Sequence, residues 1–256
     1  MANLLHNLQQ GTNKTNAHVI IVDIEDFSDE EKQYISEKLV EICKGASSSY
    51  PASVVAQKLL VQFKKASDQN KNGLSAEFLQ AIILRDQGFS QKYLFSNLEE
   101  NSAKKGFDGF YMFNGDNWIL ESKSSFIQTA HKNKHKTTID RSYRGIVEMV
   151  SGNTSNDPWE NAANHVQIAD NANKSLLKKL EDLSVDYMNN RFQRIDDLRI
   201  IVGSTIVSDS ISLIEKDTES IQKYITNHQA KEELIVVVNY KHIELLFAVL
   251  EEIANG

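Results

Sequence analysis

Phe107-Asp-Gly-Phe-Tyr-Met-Phe-Asn-Gly-Asp-Asn-Trp-Ile-Leu-Glu-Ser-Lys123 is the stretch on which the fold turns. Its two arms, 107–113 and 117–123, are rich in aromatic and aliphatic residues, and Asn114-Gly115 sits between them with Asp116, the strongest short-range hairpin signal. Two antiparallel strands are expected. If Asn114 and Gly115 are the central residues of a type I′ turn, Phe113 faces Asp116, Phe110 faces Ile119 and Asp108 faces Glu121. Directly opposed Cβ atoms lie about 4.5 to 5.5 Å apart, where like charges are destabilising unless something such as a divalent cation neutralises them. Side chains alternate along a strand, so Glu121 and Lys123 share a face with Asp108, while Trp118, Leu120 and Ser122 take the other. A three-residue Asn-Gly-Asp loop would instead shift the register by one and set Asp108 diagonal to Glu121, leaving the Glu-x-Lys face intact.

Upstream of the hairpin, 18–24 reads as a short buried strand. Ser28 with Glu31 forms a capping box for a helix that runs to about Cys43 and closes at Gly45. A second helix follows Pro51 to about Ala66. Residues 68–73 are polar and turn-rich, a joint, after which Ser75 caps a helix through about Arg85 that ends near Gly88. This helix is apolar nearly all round and hence buried, with Glu77 in its first turn. Downstream, a helix is expected over 140–150. Asp157-Pro-Trp-Glu160 then supplies an N-cap, a proline at N1 and a first-turn acid for a long amphipathic helix to about Leu183. Residues 198–207 and 233–240 are continuous apolar, β-branched runs with helical patterns between and after them. The fold class is α/β (α+β): a mixed central sheet flanked by helices, with 1–70 as an N-terminal α/β segment packed on a core over 71–256.

The 256 residues contain two prolines and no long Gly/Ser tract, so no flexible linker is expected. No apolar run approaches a membrane span and the first residues lack a signal-peptide pattern, which predicts a cytoplasmic protein without membrane contact. Cys43 is the single cysteine, so neither an internal disulfide nor a cysteine zinc site can form. With 28 Lys and Arg against 35 Asp and Glu, the formal charge of −7 disfavours strong autonomous binding to nucleic acid, and any such binding must be local or assisted.

Local basic character follows the hairpin. Lys132, Lys134, Lys136, Arg141 and Arg144 stand against Asp140 alone, and Lys104 and Lys105 precede Asp108, which predicts a phosphate-backbone track. Asp108 and Glu121 suit Mg2+ (or Mn2+), which takes one or two carboxylates plus water and phosphate oxygens. Glu77 is a third candidate ligand, although a first-turn carboxylate is also stabilised by the helix dipole alone. Lys123 would orient a water or neutralise charge on phosphoryl oxygens. His131 and His135 have the i, i+4 spacing of a metal pair, but no Glu follows His131 and lysines crowd the segment, so zinc is set aside. Gly11-Thr-Asn-Lys-Thr15 lacks the leading glycine and preceding strand of a phosphate-binding loop, and no nucleophile elbow occurs.

The set Glu77, Asp108 and Glu121-Ser-Lys123 resembles the PD-(D/E)xK nuclease superfamily, with Phe107 in place of the proline. More narrowly, Ala76-Glu-Phe-Leu-Gln-Ala-Ile-Ile-Leu-Arg85, Lys105-Gly-Phe-Asp-Gly109 and Leu120-Glu-Ser-Lys-Ser124 look like the HamA family, nuclease subunits of the Hachiman antiphage defence system. That resemblance implies a PD-(D/E)xK nuclease-like core and a metal-dependent DNase with Glu77, Asp108, Glu121 and Lys123 as its catalytic set. It further implies a helicase partner of the HamB kind. A non-catalytic adaptor that keeps the nuclease fold and docks a helicase or DNA is the alternative.

Overall fold

The computed structural model describes residues 8–14, 16–96, 106–130, 132–170, 172–214 and 217–256. Strands β1 (Leu8–Lys14) and β2 (Ala17–Ile24) open the chain and are followed by helices α1 (Asp29–Lys44), α2 (Ala52–Lys65) and α3 (Asp68–Asp86). Next come β3 (Ser90–Gln91), β4 (Gly109–Phe113) and β5 (Asp116–Phe126), then α4 (Lys134–Val150), α5 (Pro158–Ala169) and α6 (Lys174–Met188). The chain ends with β6 (Arg199–Val207), α7 (Thr218–Tyr224), β7 (Glu232–Tyr240) and α8 (Glu244–Asn255).

All seven strands form one mixed sheet in the order β1-β2-β7-β6-β5-β4-β3, with β2, β7, β6 and β5 mutually parallel. The central strands are buried on both faces, and their alternation sorts the core into two layers. Ile201, Val236, Val238 and Leu120 pack against α1, α2, α3 and α8. Ile200, Val202, Ile235, Val237 and Ile119 pack against α4, α5, α6 and α7. The expected helix-flanked mixed sheet is what forms. β2, from the N-terminal segment, pairs with β7 along its whole length, and residue 70 falls inside α3.

The capping chemistry acts where expected at two helices. Ser28 and Glu31 complete a reciprocal capping box on α1. Asp157 accepts hydrogen bonds from the N–H groups of Trp159 and Glu160 at the start of α5, with Pro158 at N1.

Four expectations are corrected. Residues 68–73 are not a joint but the first turns of α3, which Ser67 caps by accepting from the Asn70 N–H; Ser75 is buried inside the helix. Burial of α3, all round over 78–84, outweighs the poor helix propensity of Asn70, Asn72 and Gly73, roughly 0.5 to 1 kcal/mol each. α4 begins at Lys134, so most of the basic stretch is helical. The long helix expected after Pro158 is two, because Asp170 ends α5 and Asn173 caps α6 by accepting from the Leu176 N–H. The edge strands β1 and β3 carry no alternation that would have announced them.

The start of α4 is fixed to the sheet by a buried polar chain. His135, 1% exposed, bonds through Nδ1 to Ser204 Oγ (2.7 Å) and through Nε2 to Asn239 Oδ1 (2.8 Å), and Asn239 Nδ2 donates to Asp23 Oδ1 (2.7 Å). Such a satisfied network sets the angle at which α4 crosses β5 and β6. Among the described residues no helix is long and apolar enough to cross a membrane.

Candidate active site

The turn chemistry fixes the register. Asn114 (φ 51°) and Gly115 (φ 85°) both take left-handed conformations, and β4 pairs with β5 as Phe113 with Asp116, Phe110 with Ile119 and Gly109 with Leu120. The ladder ends there, so the expected Asp108–Glu121 pair is not part of it; Asp108 stands just past its end, close enough to act electrostatically on Glu121. The Asp108 N–H donates to the Leu120 carbonyl (3.0 Å), and its carboxylate accepts from the Ser122 N–H (2.8 Å). A side chain thereby takes the next place in the ladder, and past Leu120 no described strand pairs with the β4 side of β5. Phe107 occupies the core against Trp159 (ring centroids 5.1 Å apart), holding Asp108 at the sheet's broken edge.

Glu121 points to the α4 face of the sheet and is only 6% exposed. Gly145 of α4 faces it, and an added Cβ there would stand 3.3 Å from Glu121 Oε1. A helix-interior glycine costs about 1 kcal/mol relative to alanine, and here it lets the helix backbone close over the carboxyl group. Lys123 ion-pairs with Glu121 Oε1, and Oε2 is buried without a hydrogen-bond partner. Burial first, and Asp108 second, push the Glu121 carboxyl up to about 8 against the pull of Lys123. For Lys123 burial acts downward, but the attraction of Glu121, Asp108 and Glu77 outweighs it and holds the ammonium above its ordinary value. Lys123 is therefore a cation at neutral pH, while burial and Asp108 favour the protonated form of Glu121.

Glu77 lies in the interior of α3, well past the first turn, so the helix-dipole account of it falls away. It is half-buried and close enough to act electrostatically on Glu121, Lys123 and Tyr93. Tyr93 marks the point of convergence: after burial, Asp108, Glu77 and Glu121 in that order raise its hydroxyl above the usual phenol range. The hydroxyl donates to Asn161 Oδ1, and the ring stacks on His165 at 3.6 Å.

Glu121 and Lys123 form one side of a cleft of about 410 Å3 whose other wall is α4 and the turn after it. Arg141, Arg144, Gly145 and Glu148 make one stripe of α4 at i, i+3, i+4 and i+7 spacing, joined by Met149 and Thr154. Two of the expected backbone-binding residues, Arg141 and Arg144, thus flank the carboxylate–lysine pair. Lys132, Lys134 and Lys136 do not line the cleft; Lys134 donates to the Thr129 carbonyl and Lys136 pairs with Asp140, each at 2.5 Å. Lys104, Lys105, His131 and Thr15 lie outside the described residues.

Sequence reading missed Tyr93, Gly145, Glu148 and Thr154. Only Gly145 left a trace, as a glycine inside an otherwise regular helical pattern.

Among the described residues no three His, Cys, Asp or Glu side chains form a ready-made metal cage. The donor set nevertheless fits a hard divalent cation: it is all carboxylate oxygen, it includes a buried oxygen with no donor facing it, and Mg2+ ordinarily needs only one or two protein carboxylates. Comparison with protein-family models, with curated proteins and with solved structures gives no match.

Proposed function

We propose that the chain is a metal-dependent deoxyribonuclease that hydrolyses phosphodiester bonds with little sequence preference. The observation that carries this reading is the buried Glu121 carboxyl, within electrostatic reach of Asp108 and in contact with Lys123, beside a cleft flanked by two arginines. Asp108 and Glu121 would hold Mg2+ or Mn2+, with Glu77 approaching from α3. The cation's contribution when bound is to polarise the phosphodiester and to acidify the attacking water. Lys123 exchanges its contact with Glu121 for the phosphoryl oxygens, where negative charge grows during attack. Arg141 and Arg144 hold flanking phosphates in register with the carboxylates. Glu148, a carboxylate in the same cleft, limits how much of the backbone the cleft accepts.

The resemblance to PD-(D/E)xK nucleases and to the HamA family supports the further reading that this DNase is an antiphage effector working with a helicase subunit. The acidic overall charge suits an enzyme delivered to DNA by a partner. Incubation of the purified protein with linear and circular DNA in Mg2+, in Mn2+ and in EDTA tests the activity directly. Cleavage should require the metal and disappear in Glu121→Ala and Lys123→Ala, with circular dichroism unchanged. Persistent cleavage in either variant sinks the assignment, and a wild type that binds DNA without ever cutting it is the adaptor.

A further inference from the structure

The cleft continues into an aromatic platform. Thr154, on the cleft wall, lies 3.4 Å from the Tyr187 hydroxyl, and the Tyr187 ring meets the Phe192 ring edge-on with centroids 5.1 Å apart. Phe192 is brought back by a chain reversal after α6, in which Asn190 takes a left-handed conformation (φ 57°) and the Arg191 N–H donates to the Asp186 carbonyl. The ring then lies against Gly152, two residues from Thr154. A Cβ at Gly152 would fall 2.2 Å from the ring, and its φ of +76° also favours glycine. Despite this support Phe192 is 38% exposed, and Met188 at the end of α6 is 64% exposed. An aromatic ring held firmly from below and left open above is the construction of a stacking surface.

Charge places the occupant. Arg191 and Arg194 bracket Phe192 in sequence and pair at 2.6 and 2.5 Å with Asp186 and Asp196, surface contacts that exchange at little cost. Toward the cleft, Arg141, Arg144 and Lys123 continue the series of cations, interspersed with Glu121 and Glu148. Cations spaced along a path with an exposed aromatic ring beside it are the elements by which proteins hold single-stranded nucleic acid, phosphates on the cations and bases on the ring. A duplex, whose bases are already stacked on one another, offers the ring nothing comparable.

We propose that Phe192 is a base-stacking platform for single-stranded DNA, continuous with the cleft through Thr154 and Gly152, so that the strand presented to Asp108, Glu121 and Lys123 is unpaired. This rests on the nuclease reading and assigns its substrate class.

Fluorescence anisotropy with labelled single-stranded and duplex oligonucleotides of one sequence, in EDTA so that nothing is cut, reads this directly. Phe192→Ala should weaken single-strand binding about tenfold, the scale of one lost stacking contact, and leave duplex binding and the salt slope unchanged. Phe192→Trp should restore the affinity. Phe192→Ala and wild type must share a melting temperature within a few degrees; if they do not, the tryptophan variant alone carries the comparison and should bind single strands at least as tightly as wild type. Wild-type single-strand affinity in Phe192→Ala, equal losses on both substrates, or weakened binding in the folded tryptophan variant would overturn the proposal and leave the patch to a protein partner. Metal-dependent cleavage that persists alongside such a result keeps the nuclease reading and removes only the platform, whereas absence of both binding and cleavage removes both.

Discussion

Replacing Glu121 by glutamine preserves size and the acceptor for Lys123 but removes the titrating proton, and its consequence can be worked from the site. The carboxyl rises from an ordinary value of 4.5 to about 8, burial first and Asp108 second. Each pKa unit corresponds to about 1.4 kcal/mol, so the folded state loses on the order of 4 to 5 kcal/mol once the group is ionised in both states. The sign follows from where each state holds the proton. Below pH 4.5 the carboxyl is protonated whether the chain is folded or not, and no stability is lost. Between 4.5 and 8 the unfolded chain releases the proton and the folded chain keeps it, so stability falls by up to about 1.4 kcal/mol per pH unit. Above 8 both states are ionised and the loss is complete. Urea denaturation in EDTA at pH 5, 6.5, 8 and 9 should show Glu121→Gln gaining on the wild type by about 3 kcal/mol between pH 5 and 8 and then levelling. Titrating groups outside reach of Glu121 are common to both proteins and cancel in the difference. A difference flat to within about 0.5 kcal/mol, or one that grows toward acid, would refute the burial argument. If Glu121 holds the proposed cation, the same proton governs its affinity: titration calorimetry should find Mn2+ binding tightening with pH up to about 8, because the cation must displace the proton first.

Three further outcomes follow from the geometry. Lys123→Met should lower the cleavage rate by about a hundredfold or more while DNA binding, read by anisotropy, changes little, as expected of a group that acts on developing charge. Gly145→Ala should melt within a few degrees of wild type, since helix propensity gains about 1 kcal/mol against the crowding. Its Cβ would nevertheless stand 3.3 Å from Glu121 Oε1, and Mn2+ affinity by calorimetry should fall about tenfold. The double variant Arg141→Ala, Arg144→Ala should reduce the slope of log binding constant against log salt by about 1.4 to 1.8, some 0.7 to 0.9 per phosphate lost; an unchanged slope places the DNA backbone elsewhere.

What could be read in advance divides by the range of the forces involved. The hairpin register was legible because Asn114-Gly115 admits a two-residue turn whose pairing can be counted outward, and that count holds from Phe113 with Asp116 to Gly109 with Leu120; the next expected pair, Asp108 with Glu121, falls past the end of the ladder, where Asp108 bonds instead to the Leu120 carbonyl and the Ser122 N–H. Capping at Ser28 and Asp157 was legible for the same reason, a side chain serving a backbone group three residues away or nearer. The start of α3 was not, because Ser67 and Ser75 are both acceptable caps, and only the tertiary burial of Asn72 and Ser75 selects the earlier one. The break at Asp170 was missed for the opposite reason, as an amphipathic stripe continues across it while Asn173 quietly supplies a second cap.

At the site the limit is sharper. The two strands that carry Asp108, Glu121 and Lys123 are neighbours in sequence, so local chemistry brings them together. The wall that faces them is not local. Whether Glu121 is a solvated surface carboxylate or a buried acid titrating near 8 depends on Gly145 approaching from a helix whose crossing is set by His135 bonding to Ser204 and Asn239, on β6 and β7. A pattern of Glu-x-Lys on a strand is common and says nothing of burial. The step from two charged residues to a reactive pair comes from desolvation, and desolvation here is a property of how α4 lies on the sheet. Substitutions at His135 should therefore move the pH dependence of metal binding even though the imidazole is buried away from the cleft, because loosening α4 rehydrates Glu121 and lets its carboxyl fall back toward 4.5.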